Sequence, residues 1–242
     1  MIGKVAKTLT TLRHGLWMIH ESVTVAPAQE SSYRHLFLRD LARLNIVDNF
    51  YPVGAAANYG LLYLLLRCAK ELPLARVLEF GAGQTTLLLH ELAAALGTGF
   101  TVTTVEHDPF WADASGGRTG RPLVSAPLVP ARVGAHAIRW YDPAVVAGLG
   151  GGFDLVVVDG PAASTRADLY DRLGFAELVP NLLARNCVVI VDDAHRPGEA
   201  ALVDACRERL QGWADPLAEG AVMAAKRQHV FACGAYAKAA FF

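Results

Sequence analysis

Five acidic residues stand in or just after short apolar runs. They are Glu79 in Val77-Leu78-Glu79-Phe80, Glu106 after Thr101 to Val105, Asp159 after Val156-Val157-Val158, and the pair Asp192-Asp193 after Val189-Ile190-Val191. A carboxylate at a strand end can accept from a ligand hydroxyl, take up a proton, or bind a hard cation. Glu106 follows Gly81 by 25 residues, the position from which a carboxylate accepts both hydroxyls of a ribose. Asp159, Asp192 and Asp193 would repel one another if brought together, unless protonated or neutralised by a cation. Oxygen donors of this kind suit magnesium or calcium. A plainer reading makes these acids caps of the helices that follow, with Asp193 paired to Arg196. A third has one of them act as a metal-free base. His195, next to the pair, is a candidate general base, or else a polar loop residue. Arg196 either clamps an acidic substrate or faces solvent.

These acids need a frame. The run Glu79-Phe80-Gly81-Ala82-Gly83-Gln84-Thr85-Thr86 reads as a strand, a glycine turn and the start of a helix. Glycine lets the backbone approach a ligand closely, and the free N–H groups of a helix start suit an anionic group. A dinucleotide fingerprint wants Gly or Ala where Thr86 stands, and a phosphate-binding P-loop needs the Gly-Lys-Ser/Thr that is missing here. Strands are expected at Arg76 to Phe80, Phe100 to Glu106, Phe153 to Val158 and Cys187 to Val191. Helices are expected at Thr85 to Leu96 and Pro197 to Gln211. Continuous apolar strands alternating with helices mean a parallel sheet covered on both faces. A third strand falls at either Leu123 to Leu128 or Ala137 to Tyr141. Val222 to Ala225 and His229 to Cys233 form a final hairpin. Before Arg76 the pattern is helical, at Leu36 to Leu44 and Ala55 to Lys70, broken at Pro52 and Pro73.

Bulk composition narrows the partners. A chain of 242 residues, 53% apolar, can bury one sizeable core. With 22 basic against 23 acidic residues there is no basic excess of the kind nucleic acid attracts, so a small or weakly charged acceptor is expected. Cys68, Cys187, Cys206 and Cys233 show no metal spacing and read as reduced cysteines of a cytoplasmic protein. No apolar run is long enough for a membrane span. The basic first 20 residues carry a seam at Ile2, Val5, Leu9, Leu12, Leu16 and Ile19, read as a packing helix or homodimer contact, the alternative being a transit peptide or a membrane-touching helix.

Glu79-Phe80-Gly81-Ala82-Gly83-Gln84-Thr85 resembles the first motif of class I S-adenosylmethionine-dependent methyltransferases, and Val105-Glu106-His107 resembles their second. The resemblance covers Ala75 to Cys233. It implies a Rossmann-like α/β fold, a mostly parallel sheet ending in an antiparallel hairpin. Residues 73–242 would bind S-adenosylmethionine, with residues 1–72 as a helical extension. It implies Gly81 and Gly83 against the methionine part of the cofactor, with Thr85 at the helix start. Glu79 would lie near the cofactor amino group, Glu106 on the ribose and His107 beside it as a spacer. Ser125 and Asp142 are candidates for the adenine side. The acids at the later strand ends look like those of metal-dependent O-methyltransferases of the catechol and macrocin types. That implies Asp159, Asp192 and Asp193 as ligands of Mg2+ or Ca2+, with the macrocin type closer because Asp193 is not Asn. The expected acceptor is then a hydroxyl of a small molecule or sugar. Tyr51, Asn58 and Tyr59 would cover the site, and Asp159 and His195 carry the proton chemistry. Two further readings stay open. One is metal-independent methyl transfer to nitrogen or to a polysaccharide, since Val158-Asp159-Gly160-Pro161 is similar to a run in plant glucuronoxylan methyltransferases. The other is a cofactor-binding scaffold without activity.

Overall fold

The computed structural model describes residues 25–242 apart from 55, 164 and 166. The basic N-terminal seam and the homodimer contact expected of it lie outside these residues. Seven strands form one sheet, and an order of β3-β2-β1-β6-β7-β9-β8 follows from their pairing. The strands are β1 (Arg76–Phe80), β2 (Thr101–Glu106), β3 (Val124–Ser125), β6 (Phe153–Val158), β7 (Leu183–Val191), β8 (Leu217–Met223) and β9 (Arg227–Cys233). The first five of these run parallel, and β9 and β8 close the sheet antiparallel. The sheet is therefore mostly parallel with a terminal antiparallel hairpin, as expected, but the first strand of that hairpin is Leu217–Met223 rather than Val222 to Ala225, and Ala224 and Ala225 lie in its turn.

Alternation along the strands builds two apolar layers. Val77, Leu155, Val157, Val188 and Ile190 face helices α1 (Glu30–Arg43), α2 (Tyr59–Glu71) and α3 (Gln84–Leu96), whose Phe37, Leu61, Leu65 and Leu88 share one core with them. Leu78, Phe80, Val156, Val158 and Val189 face the other way. They pack on the 3-10 helix Asp171–Leu178, helix α6 (Pro197–Leu210) and an antiparallel ribbon of β4 (Leu128–Val133) and β5 (His136–Tyr141). Fully apolar strands are stable only when both faces are covered in this way. Helices α1 and α2 thus contribute to the same core as the sheet.

Two local expectations are refined. The helix expected from Ala55 begins at Tyr59, because the Asn58 side chain accepts from Leu61 N and caps it there. Of the two third-strand candidates, the sheet uses Val124–Ser125, paired with Val105 and Glu106. Ala137 to Tyr141 instead belongs to the separate ribbon, where Trp140 and Tyr141 pack against Phe80. Helix α4 (Pro109–Thr119) and the short α5 (Pro143–Ala147) lie between these elements. Among the described residues no helix is long and apolar enough to cross a membrane.

Candidate active site

The parallel strands β2, β1, β6 and β7 end along one edge, so Glu106, the loop after Phe80, Asp159 and Asp192-Asp193 all come to the same crevice. Gly81 opens the first loop with φ +94, a left-handed conformation that favours glycine. Its neighbour across the crevice floor is Gly160: a Cβ on Gly81 would lie 2.8 Å from Gly160 N. Gly83 differs, since nothing lies within 4 Å of where its Cβ would stand. Open space there leaves the start of α3 free to meet a ligand.

Glu79 is fully buried beneath this loop. Its Oε2 accepts from Thr86 Oγ1 at 2.6 Å and Thr104 Oγ1 at 2.9 Å, while Oε1 has no hydrogen-bond partner among the described residues. Thr86 Oγ1 in turn accepts from Gly83 N at 3.0 Å. The hydroxyl at the position where a dinucleotide site wants glycine therefore ties the loop to Glu79. Burial pushes the Glu79 carboxyl up to about 7, against the nearby hydroxyls of Thr85, Thr86 and Thr104 that hold it down.

Glu106 behaves in the opposite sense. Oε2 accepts from Ala82 N at 2.7 Å, and Oε1 accepts from His107 N at 2.7 Å and Asp108 N at 2.8 Å. His107 Nδ1 lies 2.9 Å from Oε1. Burial alone would raise this carboxyl, but His107 and the amides of Ala82 and Asp108 outweigh it and hold the pKa below its ordinary value. Glu106 thus fastens the glycine loop to the end of β2 as an anion.

At the other end of the crevice Asp159, Asp192 and Asp193 come together, each offering an oxygen within 4.8 Å of the other two. Arg172, buried on the 3-10 helix, reaches Asp159 Oδ1 at 3.2 Å and Asp193 Oδ2 at 3.3 Å, and its Nη2 donates to Asp159 O at 2.7 Å. Lys226 at the β8–β9 tip sits 3.4 Å from Asp192 Oδ2 and 3.5 Å from Asp193 Oδ1. Arg196 bridges Asp193 at 3.2 Å and Glu199 at 2.5 Å. Asp192 also accepts from Gln228 Nε2 at 2.6 Å, and Gln228 donates to Asn58 Oδ1 at 2.9 Å. Asn58 donates in turn to Glu30 at 2.8 Å, so this network runs from α1 to the strand end.

Burial and then the charge of Asp192 raise the Asp159 carboxyl well above its ordinary value. Burial would raise Asp192 too, but Lys226, Gln228 and Arg172 hold it low. Asp193 adopts φ +55, uncommon for a residue with a side chain and a form of strain that clusters at functional sites.

Comparison with other proteins bears on the whole arrangement. No protein-family model and no curated protein matches the chain. Among solved structures it is similar to the O-methyltransferase TomG from Streptomyces achromogenes, involved in tomaymycin synthesis and solved with S-adenosylmethionine. That likeness covers 89% of this chain and 94% of the other, at 15% identity and a TM-score of 0.50. It is also similar to the S-adenosylhomocysteine-bound Podospora anserina methyltransferase PaMTH1, over 93% and 96% of the two chains, at 13% identity and the same TM-score of 0.50. The chain has the class I methyltransferase fold.

Within that fold the residues fit S-adenosylmethionine on two observations: the open space beside Gly83 and the unpartnered buried Oε1 of Glu79. Thr85 is buried at the start of α3. Ser125 ends β3 and lines a groove of about 450 Å3 with Pro109, Asp113 and Gly117. Asp142 caps α5 by accepting from Ala144 N at 2.8 Å. His195 lies beside the acid cluster with Nδ1 3.5 Å from the Arg227 amide. Tyr51 N donates to Gln84 at 3.2 Å, which lays its segment on the start of α3. Tyr59 N donates to Glu30 at 2.6 Å, and its ring packs against Phe37.

A divalent ion fits less well. Its three expected ligands gather, yet three cations of the chain, Arg172, Arg196 and Lys226, already stand against them. Arg172, Lys226, Gln228 and Glu199 were not singled out in the sequence. Lys and Arg in a polar loop or a hairpin tip carry no pattern that separates a site cation from a solvated one.

Proposed function

We propose that the protein is an S-adenosylmethionine-dependent methyltransferase acting on a hydroxyl of a small molecule or sugar. The observation that carries this reading is the joint placement, at one sheet edge, of the Glu79–Gly83–Glu106 unit and the Asp159–Asp192–Asp193 cluster. Glu79, Gly81, Gly83 and Thr85 would hold the amino-acid end of the cofactor, with the unpartnered Glu79 oxygen suited to an ammonium. Glu106 and His107 would hold the ribose side.

When bound, the cofactor would supply a methyl carbon on a positively charged sulfur: the acceptor oxygen would bond to that carbon as its C–S bond breaks, the sulfur would leave as a neutral thioether, and the hydroxyl proton would pass to a base of this chain. Alignment of the two partners is the protein's main contribution, worth up to roughly 7–11 kcal/mol of the barrier. Asp159 is the acid of the cluster with the most exposed side chain, at 19%, and burial and the neighbouring Asp192 charge make its carboxylate hold a proton more strongly than an ordinary one, as a proton acceptor needs. His195 is the second candidate for that proton, at the rim of the same cluster. The segment carrying Tyr51 would shield the crevice from water.

A second reading gives the cluster a Mg2+ or Ca2+ ion. It is favoured by the approach of three carboxylate oxygens to within 4.8 Å of one another.

Calorimetric titration with S-adenosylmethionine, followed by methyl-transfer assays on hydroxylated acceptors, tests the proposal. Binding in the micromolar range that Glu106→Ala weakens, together with turnover that Asp159→Asn removes, is the expected result. No cofactor binding would overturn it, and binding without turnover on any acceptor would favour a scaffold.

A further inference from the structure

Three carboxylates brought to one strand edge need positive charge, and the fold delivers it from two separate elements. The β9 strand runs antiparallel to β7 with His229 opposite Val191. Residue 226 therefore lies beyond the carboxyl end of β7, over the pair that follows it. The hairpin tip is fastened there by several contacts. Ala194 N donates to Arg227 O at 2.7 Å, Ala224 N donates to Lys226 O at 2.9 Å, and Gln228 Nε2 donates to Asp192 at 2.6 Å. Ala225 N adds a bond to Glu30 at 3.0 Å from the N-terminal side. The backbone that carries Lys226 is thus fixed on both sides, and its largely buried side chain, 14% exposed, brings the ammonium to the two acids.

The contacts already made by these acids point the same way. Asp159, Asp192, Asp193 and Glu199 meet Arg172, Arg196 and Lys226, four carboxylates against three fixed cations. Magnesium would need oxygens at about 2.0–2.1 Å and calcium at about 2.3–2.6 Å, in a shell of six or more. To bind here it would have to displace the ammonium from Asp192 and Asp193. It would also have to compete with a buried guanidinium whose removal from its partners is costly.

We propose that Lys226 is the resident cation of the acceptor crevice, holding Asp192 and Asp193 in place and closing the cluster to divalent ions. Lys226 is a positioning residue in this scheme, acting through the two acids. The inference rests on the crevice being the acceptor site. Its test, however, reads ion binding alone, so a failure there leaves methyl transfer standing, and loss of cofactor binding leaves the ion result intact.

The experiment is calorimetric titration of the full chain with magnesium chloride and then calcium chloride at fixed ionic strength. The variants are Lys226→Gln, Lys226→Arg, Asp192→Asn and the double variant Lys226→Gln/Asp192→Asn. Wild type and Lys226→Arg are expected to show no saturable binding at millimolar ion. Lys226→Gln keeps a donor to Asp192 but loses the charge, and should bind the ion on the order of tenfold tighter or more. The double variant should lose that gain. Wild-type binding abolished by Asp192→Asn would overturn the proposal without any lysine variant. Silence in a folded Lys226→Gln would also overturn it, by assigning the closure to Arg172.

Discussion

Gly81 and Gly160 pack backbone to backbone across the floor of the crevice. A Cβ on Gly160 would stand 2.6 Å from Gly81 Cα and 2.6 Å from the Tyr141 hydroxyl oxygen, and a Cβ on Gly81 would stand 2.9 Å from Gly160 Cα. The loop after β1 and the loop after β6 are therefore one unit, and the first glycine of the motif is required by its neighbour strand as well as by its own φ of +94. Gly160→Ala should destabilise by about 1–3 kcal/mol through overpacking alone, and Gly81→Ala by more because strain at positive φ adds to it. Gly83→Ala, with open space beside it, should leave the melting temperature nearly unchanged and weaken cofactor binding instead. Thermal unfolding with and without S-adenosylmethionine separates the three; equal melting temperatures for Gly81→Ala and Gly83→Ala would contradict the geometry.

Glu79 makes stability depend on pH in a defined direction. Its carboxyl rises from 4.5 in the unfolded chain to about 7 in the folded one, so the folded form retains its proton over that interval while the unfolded form gives it up. The contribution is complete below pH 4.5, declines as pH rises, and is lost past about 7, on the order of 3 kcal/mol in all. Glu79→Gln should flatten this fall. Denaturant unfolding between pH 5 and 8 provides the check, and an unchanged slope in the variant would show that another group carries it.

Glu106 has the opposite linkage. Its folded pKa lies below the ordinary value, so its contribution is present above the unfolded pKa and is lost on acidification through the folded one. Glu106→Ala leaves the amides of Ala82, His107 and Asp108 without their acceptor, at a cost of at least about 2 kcal/mol. The glycine loop should loosen, which amide exchange at Ala82 would report directly as faster exchange in the variant.

Arg172 is buried with five anchors: the Pro161 and Asp159 carbonyls and the carboxylates of Asp159, Asp193 and Glu199. Arg172→Met would leave acids facing each other without their shared guanidinium. Breaking a buried ion pair from one side costs about 3–5 kcal/mol, and a large drop in urea midpoint is expected. Adding Glu199→Gln should recover part of the loss by removing one of the stranded charges. A double variant no more stable than Arg172→Met would mean that Glu199 is not coupled to the arginine.

The sequence by itself determined the order of the elements. Strand, glycine turn, helix, strand and acid are set by short-range patterns, apolar runs closed by Gly81 and Gly97 or ended by a carboxylate, and those patterns survive in one dimension. It also put Glu79, Glu106, Asp159, Asp192 and Asp193 at the edge where parallel strands end, since successive β–α units repeat the same direction. Only the tertiary structure decided what compensates those acids. Arg172 is 21 residues from Asp193, and Lys226 is 34 from Asp192. They meet only because β9 turns back along β7 and the 3-10 helix packs over the ribbon. The opposition of Gly81 to Gly160 arises in the same way, from the register of β1 against β6 rather than from any local signal. The third strand was ambiguous because two residues, Val124 and Ser125, suffice for an edge strand, too few to show a period. Local chemistry fixes which groups are present, and long-range packing fixes which charges neutralise which.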